Sequence, residues 1–210
     1  MTEFQPSTAE NTPKKRSWLR EIIVSIVILG LVFCVFHVVL GFAPVEGTSM
    51  QPLINENSDS STAVLCRLQG AERGAIVIVP KPNTSRNLIK RVIAMPGDTV
   101  RVYPNPDNPT IAIMEINGVV QNESYLGEPM LWSKWTTSDE LGFDTFVYQN
   151  YKVAVGAGYE IRFTVPANQF FALGDNRNNS RDGRHYGFFA LDSVVGRVFL
   201  LIDQGGLRLI

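Results

Sequence analysis

The feature that most constrains this chain is an uncharged run from Ile22 to Val45, built mostly of Ile, Val, Leu and Phe. As a helix, its 24 residues would rise about 36 Å at ~1.5 Å each, enough to cross a hydrocarbon core of about 30 Å. Lys14, Lys15, Arg16 and Arg20 precede it. By the positive-inside tendency that end stays cytoplasmic, and everything after Gly41 is delivered across the membrane. Trp18 and Phe42 stand where interfacial aromatic residues are expected. The competing reading is a cleaved leader, whose apolar core runs about 7–15 residues and ends in a small-x-small site. This run is longer, and its one such site, Gly41-Phe42-Ala43, is followed by Pro44, whose tertiary amide makes a poor scissile bond. We therefore read residues 18–43 as a retained transmembrane helix. Residues 1–17, with Pro6, Pro13 and several Ser, Thr and Asn, have too few apolar positions to pack and read as a disordered cytoplasmic tail.

Residues 44–210 are enough for one soluble domain with its own core. Helical periodicity is scarce there. Alternating or β-branched runs at Ala63–Leu68, Ala75–Val79, Leu88–Ala94, Thr99–Tyr103, Ile111–Ile116, Tyr159–Val165, Gln169–Leu173 and Val194–Ile202 predict strands, separated by Gly, Pro, Asn and Asp clusters. The fold class is mostly β, a sandwich or coiled β-sheet preceded by one transmembrane helix. The stretch 104–158 is the least regular and reads as an excursion from the core sheet. A net charge of −1 argues against nucleic acid as a partner. Cys34 lies within the apolar run, so a disulfide with Cys66 is not expected. With His37 and His185 the only histidines, no metal site is expected either.

Three short segments carry the chemistry. In Gly47-Thr48-Ser49-Met50-Gln51-Pro52, the Gly and Pro predict an irregular turn that can present the Ser49 hydroxyl. Serine is a weak nucleophile until a base takes its proton, and a serine in a turn is by itself usually structural. Position adds weight, because Ser49 lies six residues beyond Ala43 and so no more than about 20 Å from the membrane exit. In Leu88-Ile89-Lys90-Arg91-Val92-Ile93, a period of two places Lys90 with Leu88 and Val92, and Arg91 with Ile89 and Ile93. One of the two cations must face apolar neighbours, and the pattern does not say which. A buried lysine becomes a base once desolvation disfavours its ammonium form, whereas an edge-strand lysine merely discourages aggregation. The third segment, Gly174 to Arg184, holds only Gly, Asp, Asn, Ser and Arg. A calcium loop fits poorly, since Arg177 occupies a ligand position. It reads better as a turn that supports the site, Ser180 donating to a neutral lysine amine and Asp182 pairing with Arg184.

Taken together, the three segments resemble the bacterial signal peptidase I family. Ser49, Met50 and Pro52 match its S-M-x-P pattern, Lys90 to Asp98 its K-R-V-x-x-x-P-G-D pattern, and Gly174 to Arg184 its G-D-N-R-x-N-S-x-D-x-R pattern. The likeness covers most of residues 45–103 and 159–198. It implies Ser49 as nucleophile, Lys90 as general base, Ser180 beside the lysine amine and an Asp182–Arg184 ion pair. It also implies that Val45, Met50, Ile54, Leu88 and Ile89 line shallow apolar pockets for small substrate side chains. The implied fold is a coiled, mostly antiparallel β-sheet catalytic domain without a cofactor. The implied protein is a monomer in the bacterial cell membrane, acting on the signal peptides of exported preproteins beside the lipid bilayer. Gly47 departs from members that carry an oxyanion-binding Ser there, which leaves the Ser49 backbone N–H as the principal donor. Asn178 replaces a frequent Asp, Gly183 a common Ser, and Ala75 a usual Asp. Alternatives are a maturation peptidase of a secretion or conjugation apparatus, and a catalytically silent β-domain that binds exported peptides. A repressor-type serine–lysine autoprotease would need a DNA-binding module where the membrane span stands.

Overall fold

The structure, a computed structural model, describes residues 17–55, 60–136 and 145–210. The tail expected over residues 1–17 lies, but for Ser17, outside the described residues. Two compact units follow one another along the chain, Met1–Val38 and Val39–Ile210.

The first unit contains helix α1 (Ser17–Cys34), and a π-helical turn over Val35–Val39 carries the chain to the start of the second. Its apolar span, Trp18–Val39, is 22 residues long, with a mean hydropathy of 3.0 and no part buried within the protein. Ile, Val, Leu and Phe on every side suit lipid rather than water around the whole helix. His37 stacks on Phe33 and hydrogen-bonds its carbonyl at 3.0 Å, which accounts for a polar ring in an apolar run.

Helical geometry ends at Val39, so the expectation of a helix to residue 43 is corrected. Leu40–Glu46 forms strand β1, in register with the next strand from Leu40↔Cys66 to Glu46↔Ser60. Pro44 lacks the N–H an α-helix requires, yet it is tolerated because β1 is the edge of its sheet. Gly41 also favours pairing, since a Cβ there would meet Leu65 Cγ at 3.0 Å.

The second unit continues with β2 (Ser60–Cys66), β3 (Ile76–Pro80), β4 (Asn87–Ala94), β5 (Thr99–Pro104), β6 (Ala112–Ile116) and β7 (Val119–Val120). Short helices α2 (Ser133–Thr136) and α3 (Phe146–Tyr151) lead to β8 (Lys152–Val155), β9 (Gly158–Thr164) and β10 (Gln169–Leu173). Helix α4 (Gly183–Tyr186), β11 (Phe189–Ala190), β12 (Gly196–Asp203) and β13 (Gly206–Leu209) complete it. One antiparallel sheet runs β1-β2-β12-β3-β4-β10-β11, with β13 on β12, and the other runs β7-β6-β5-β9-β8. The stretch 104–158 supplies β6, β7 and β8 to the second sheet, whose central pair, β5 and β9, flanks that stretch along the chain.

Strand β3 shows how the first sheet is covered on both faces. Ile76 and Ile78 pack with Val45, Met50, Ile54 and Leu201, while Val77 and Val79 pack with Val92, Phe170 and Phe189. A third cluster fills the second sheet with Val100, Val102, Met114, Ile161 and Phe163, and reaches Phe171 and Leu173 of β10. Each such side chain contributes about 1.5–3 kcal/mol by leaving water. The sheets connect through the Met95–Asp98 turn, where Gly97 has φ +84° and Asp98 accepts from the Met95 N–H, Asn117 and Arg73.

Candidate active site

The Ser49 turn begins where β1 ends. Gly47 has φ +86°, a conformation that favours glycine, and the Gln51 N–H closes a turn onto the Thr48 carbonyl at 3.1 Å. Buried Asn55 ties the turn's base together, donating to the Val45 and Gly47 carbonyls at 3.0 and 3.1 Å and accepting from Ser61 Oγ at 2.6 Å. The backbone is thereby held irregular, with Ser49 half-buried.

Lys90 sits on β4 between β3 and β10. It is the interior member of the cation pair, 2% exposed. Its Nζ donates to Ser49 Oγ at 2.7 Å and to the Ile89 carbonyl at 2.9 Å. Burial pushes its pKa down from 10.5 to about 8, opposed by the Asp182 and Asp175 charges and assisted by Arg184. Arg91 takes the other environment, donating to both Asp175 oxygens at 2.7 and 2.6 Å.

The Gly174–Arg184 loop follows β10 and clasps the Ser49 turn. The Asn176 N–H donates to the Ser49 carbonyl, Asn176 Nδ2 to the Thr48 carbonyl and Asn179 Nδ2 to Thr48 Oγ1, each at 3.1 Å. Asp182 and Arg184 form a buried two-bond ion pair at 2.9 Å. Asp182 also caps α4 and accepts the Gly174 N–H, and its carboxyl is held down at about 2. Although burial opposes that ionisation, the Arg184 charge and hydrogen bonds outweigh it.

Ser180 departs from expectation. Its Oγ is buried but has no hydrogen-bond partner among the described residues, so the donation to Lys90 is not formed. Its hydroxyl packs against Gly174 instead, where a Cβ would stand 2.3 Å away. Of the proposed pocket residues, Val45, Met50, Ile54 and half-buried Ile89 share one apolar cluster. Leu88 packs with the other, beside Val79 and Val92. Met50 and Ile54 are at most 1% exposed, which makes them core side chains beneath the surface of any pocket.

The family model for "Signal peptidase, peptidase S26" matches residues 16–202. This chain belongs to the signal peptidase family S26. A signal peptidase I of Bacillus amyloliquefaciens is 29% identical over 203 residues, covering 93% of this chain and 92% of that one. A probable signal peptidase I-2 of Synechocystis is 27% identical over 205 residues, covering 93% and 78%. A signal peptidase I of Streptococcus pneumoniae is 31% identical over 166 residues, covering 72% and 76%. A crystal structure of a signal peptidase I from Enterococcus faecalis V583 is 29% identical, covering 61% of this chain and 97% of that one, with a TM-score of 0.41.

Around Ser49 and Lys90 the structure assembles residues that the sequence did not single out. Asn55, Asp175, Asn176 and Asn179 hold backbone or cations next to Ser49 and Lys90. Glu123, Tyr125 and Arg177 form a further network, Arg177 donating to both Glu123 oxygens and to Tyr125 Oη. Asp175, Asn176, Arg177 and Asn179 lie inside a segment already marked by composition. Glu123 and Tyr125 lie in the irregular stretch, where nothing local points to them.

Proposed function

We propose that this chain is a membrane-anchored signal peptidase that removes N-terminal signal peptides from exported preproteins after a small-x-small site. Ser49 serves as nucleophile and Lys90 as general base. The observation that carries the reading is the 2.7 Å approach of a buried, pKa-depressed Lys90 Nζ to Ser49 Oγ.

Neutral Lys90 turns its lone pair toward the Ser49 hydroxyl and takes its proton as Oγ attacks the scissile carbonyl. The carbonyl electrons move onto oxygen, and the Ser49 backbone N–H stabilises that oxyanion. Collapse breaks the C–N bond, and Lys90 returns the proton to the leaving amine of the mature chain. Lys90 then deprotonates a water, which attacks the acyl ester, and the proton passes back to Ser49 Oγ. A histidine is not needed because burial has already lowered the amine's affinity for its proton.

Trp18–Val39 serves as the anchor, with the basic residues ahead of it on the cytoplasmic side and residues from 44 onward outside the bacterial cell membrane. The apolar surface near Val45 and Ile89 receives the small side chains before the cut. Neither a cofactor nor a second subunit enters this scheme.

The test uses the full-length protein in detergent and a preprotein with an Ala-x-Ala site. Ser49→Ala and Lys90→Ala are each expected to lose at least about a thousandfold in kcat/KM while keeping the wild-type circular dichroism spectrum. Substantial cleavage by either folded variant refutes the assignment.

A further inference from the structure

We infer that Tyr125 is a positioning residue, a ring held between Arg91 and Arg177 that locks the Lys90 strand to the loop supporting Ser49. The inference rests on the peptidase reading above and adds to it a part of the molecule far from the dyad in sequence.

Residues 121–131 form a strap tied at both ends to β6. The Gln121 N–H donates to the Met114 carbonyl at 2.9 Å, and the Ala112 N–H to the Met130 carbonyl at 2.8 Å. Between those points the strap leaves the sheet. A cavity of about 380 Å³ lies beneath it, lined in part by Ala112, Met114, Leu126 and Met130. What holds the arch is its set of contacts with the catalytic segments. Gly127 lies against Pro52 of the Ser49 turn, where a Cβ would stand 3.3 Å from Pro52 Cδ. Asn178 accepts the Leu131 N–H at 2.9 Å and donates to the Pro129 carbonyl at 3.0 Å.

Tyr125 occupies the centre of this arrangement. The Arg91 guanidinium lies 4.2 Å from its ring centroid and the Arg177 guanidinium 5.9 Å. Its hydroxyl accepts from Arg177 at 3.1 Å and donates to Glu123 Oε1 at 2.6 Å. Burial raises its pKa, so it remains a phenol able to donate to that carboxylate. Each arginine continues to one side of the dyad. Arg91 is the residue after Lys90, and it pairs with Asp175. Arg177 Nε donates to the Gly174 carbonyl at 3.0 Å, and Gly174 packs on the Ser49 carbonyl. One ring therefore bridges the neighbour of the base and the support of the nucleophile. Near-attack geometry is sensitive to sub-ångström displacements of that kind.

The charged groups facing Lys90 are Asp182, Arg184 and Asp175. Removing the ring loosens Arg91, leaves the Asp175 charge less compensated and admits water. Each change favours the Lys90 ammonium, so the pH at which activity switches on moves up. A residue that merely stabilised the fold would lower the amount of enzyme without moving that pH.

The experiment compares full-length wild type, Tyr125→Leu, Tyr125→Met and Tyr125→Phe in detergent, measuring kcat/KM for a preprotein from pH 6 to 10. Tyr125→Leu and Tyr125→Met are expected to lose roughly 30-fold and to shift the acid limb up by about half a pH unit. Tyr125→Phe keeps the ring between the arginines and is expected to stay within about fivefold, with the limb in place. A wild-type profile in either aliphatic variant, or a loss without a limb shift, overturns the inference. So does a Tyr125→Phe acid limb displaced from wild type by about half a pH unit or more, a readout that needs neither aliphatic variant to fold. These outcomes are distinct from failure of the peptidase reading, which would show as cleavage by Ser49→Ala.

Discussion

Gly174 and Ser49 approach so closely that a Cβ on residue 174 would stand 2.4 Å from the Ser49 carbonyl oxygen. The same Cβ would stand 2.3 Å from Ser180 Oγ. A backbone carbonyl cannot swing aside as a side-chain end can, so Gly174→Ala is expected to shift the Ser49 turn relative to Lys90. We expect kcat/KM to fall at least about 100-fold, with a stability loss of about 1–3 kcal/mol from overpacking. The double variant Gly174→Ala/Ser180→Gly relieves the clash with the Ser180 side chain but not that with the Ser49 carbonyl. Its activity in the same preprotein assay is therefore expected to stay low, and recovery would show that the carbonyl contact is unimportant.

Activity should follow the protonation of Lys90. In the proposed mechanism the amine acts only when neutral, and its pKa is pushed down to about 8, so kcat/KM is expected to rise with pH and level off above that value. An acid limb found near pH 10, or none between pH 6 and 9, would contradict a desolvated base.

Lys90→Met should abolish cleavage yet strengthen the fold. Below pH 8 the folded and unfolded forms of the wild type both carry the proton, and the burial penalty is fully present. Between about 8 and 10.5 the folded form sheds its proton first, so wild-type stability rises with pH across that window. Chemical denaturation is expected to show Lys90→Met more stable by up to about 3 kcal/mol at pH 7, with the gap closing toward pH 10. A constant gap would mean that lysine ionisation is not its source.

Asp182→Asn should act on both stability and pH response. It leaves Arg184 buried without its counter-charge, a change that costs about 3–5 kcal/mol at neutral pH. Asp182 is held below its ordinary range, so its contribution is present at neutral pH and is lost as pH falls toward 2. The variant also removes the largest charge that raises the Lys90 pKa, and leaves Arg184 to lower it further. The acid limb of kcat/KM is therefore expected to move to lower pH in whatever fraction remains folded, opposite to the Tyr125 variants.

Much of this architecture was legible in the chain because the relevant signals are local. Uniform apolarity marked the helix, alternation and turn residues marked most strands, and three dense motifs marked Ser49, Lys90 and the 174–184 loop. The signals failed where pairing decides. Leu40–Val45 prolongs the uncharged run of the helix before it, and only β2 alongside makes Leu40–Glu46 a strand. A period of two treats Lys90 and Arg91 alike; Asp175, 84 residues away from Arg91, settles the matter by pairing with Arg91, while Lys90 Nζ meets Ser49 Oγ. The Glu123–Tyr125–Arg177 network had no local signature, because its members meet only after the second sheet has formed. Residue type suggests a donor role for Ser180, whereas packing against Gly174 fixes where its hydroxyl lies.

Asn176 and Asn179 grip Thr48 and Ser49 through amides, which neither gain nor lose a proton over any biological range. In the proposed mechanism, mild acidification therefore protonates Lys90 while leaving these contacts intact. Return to alkaline conditions should restore turnover at once, with no refolding lag.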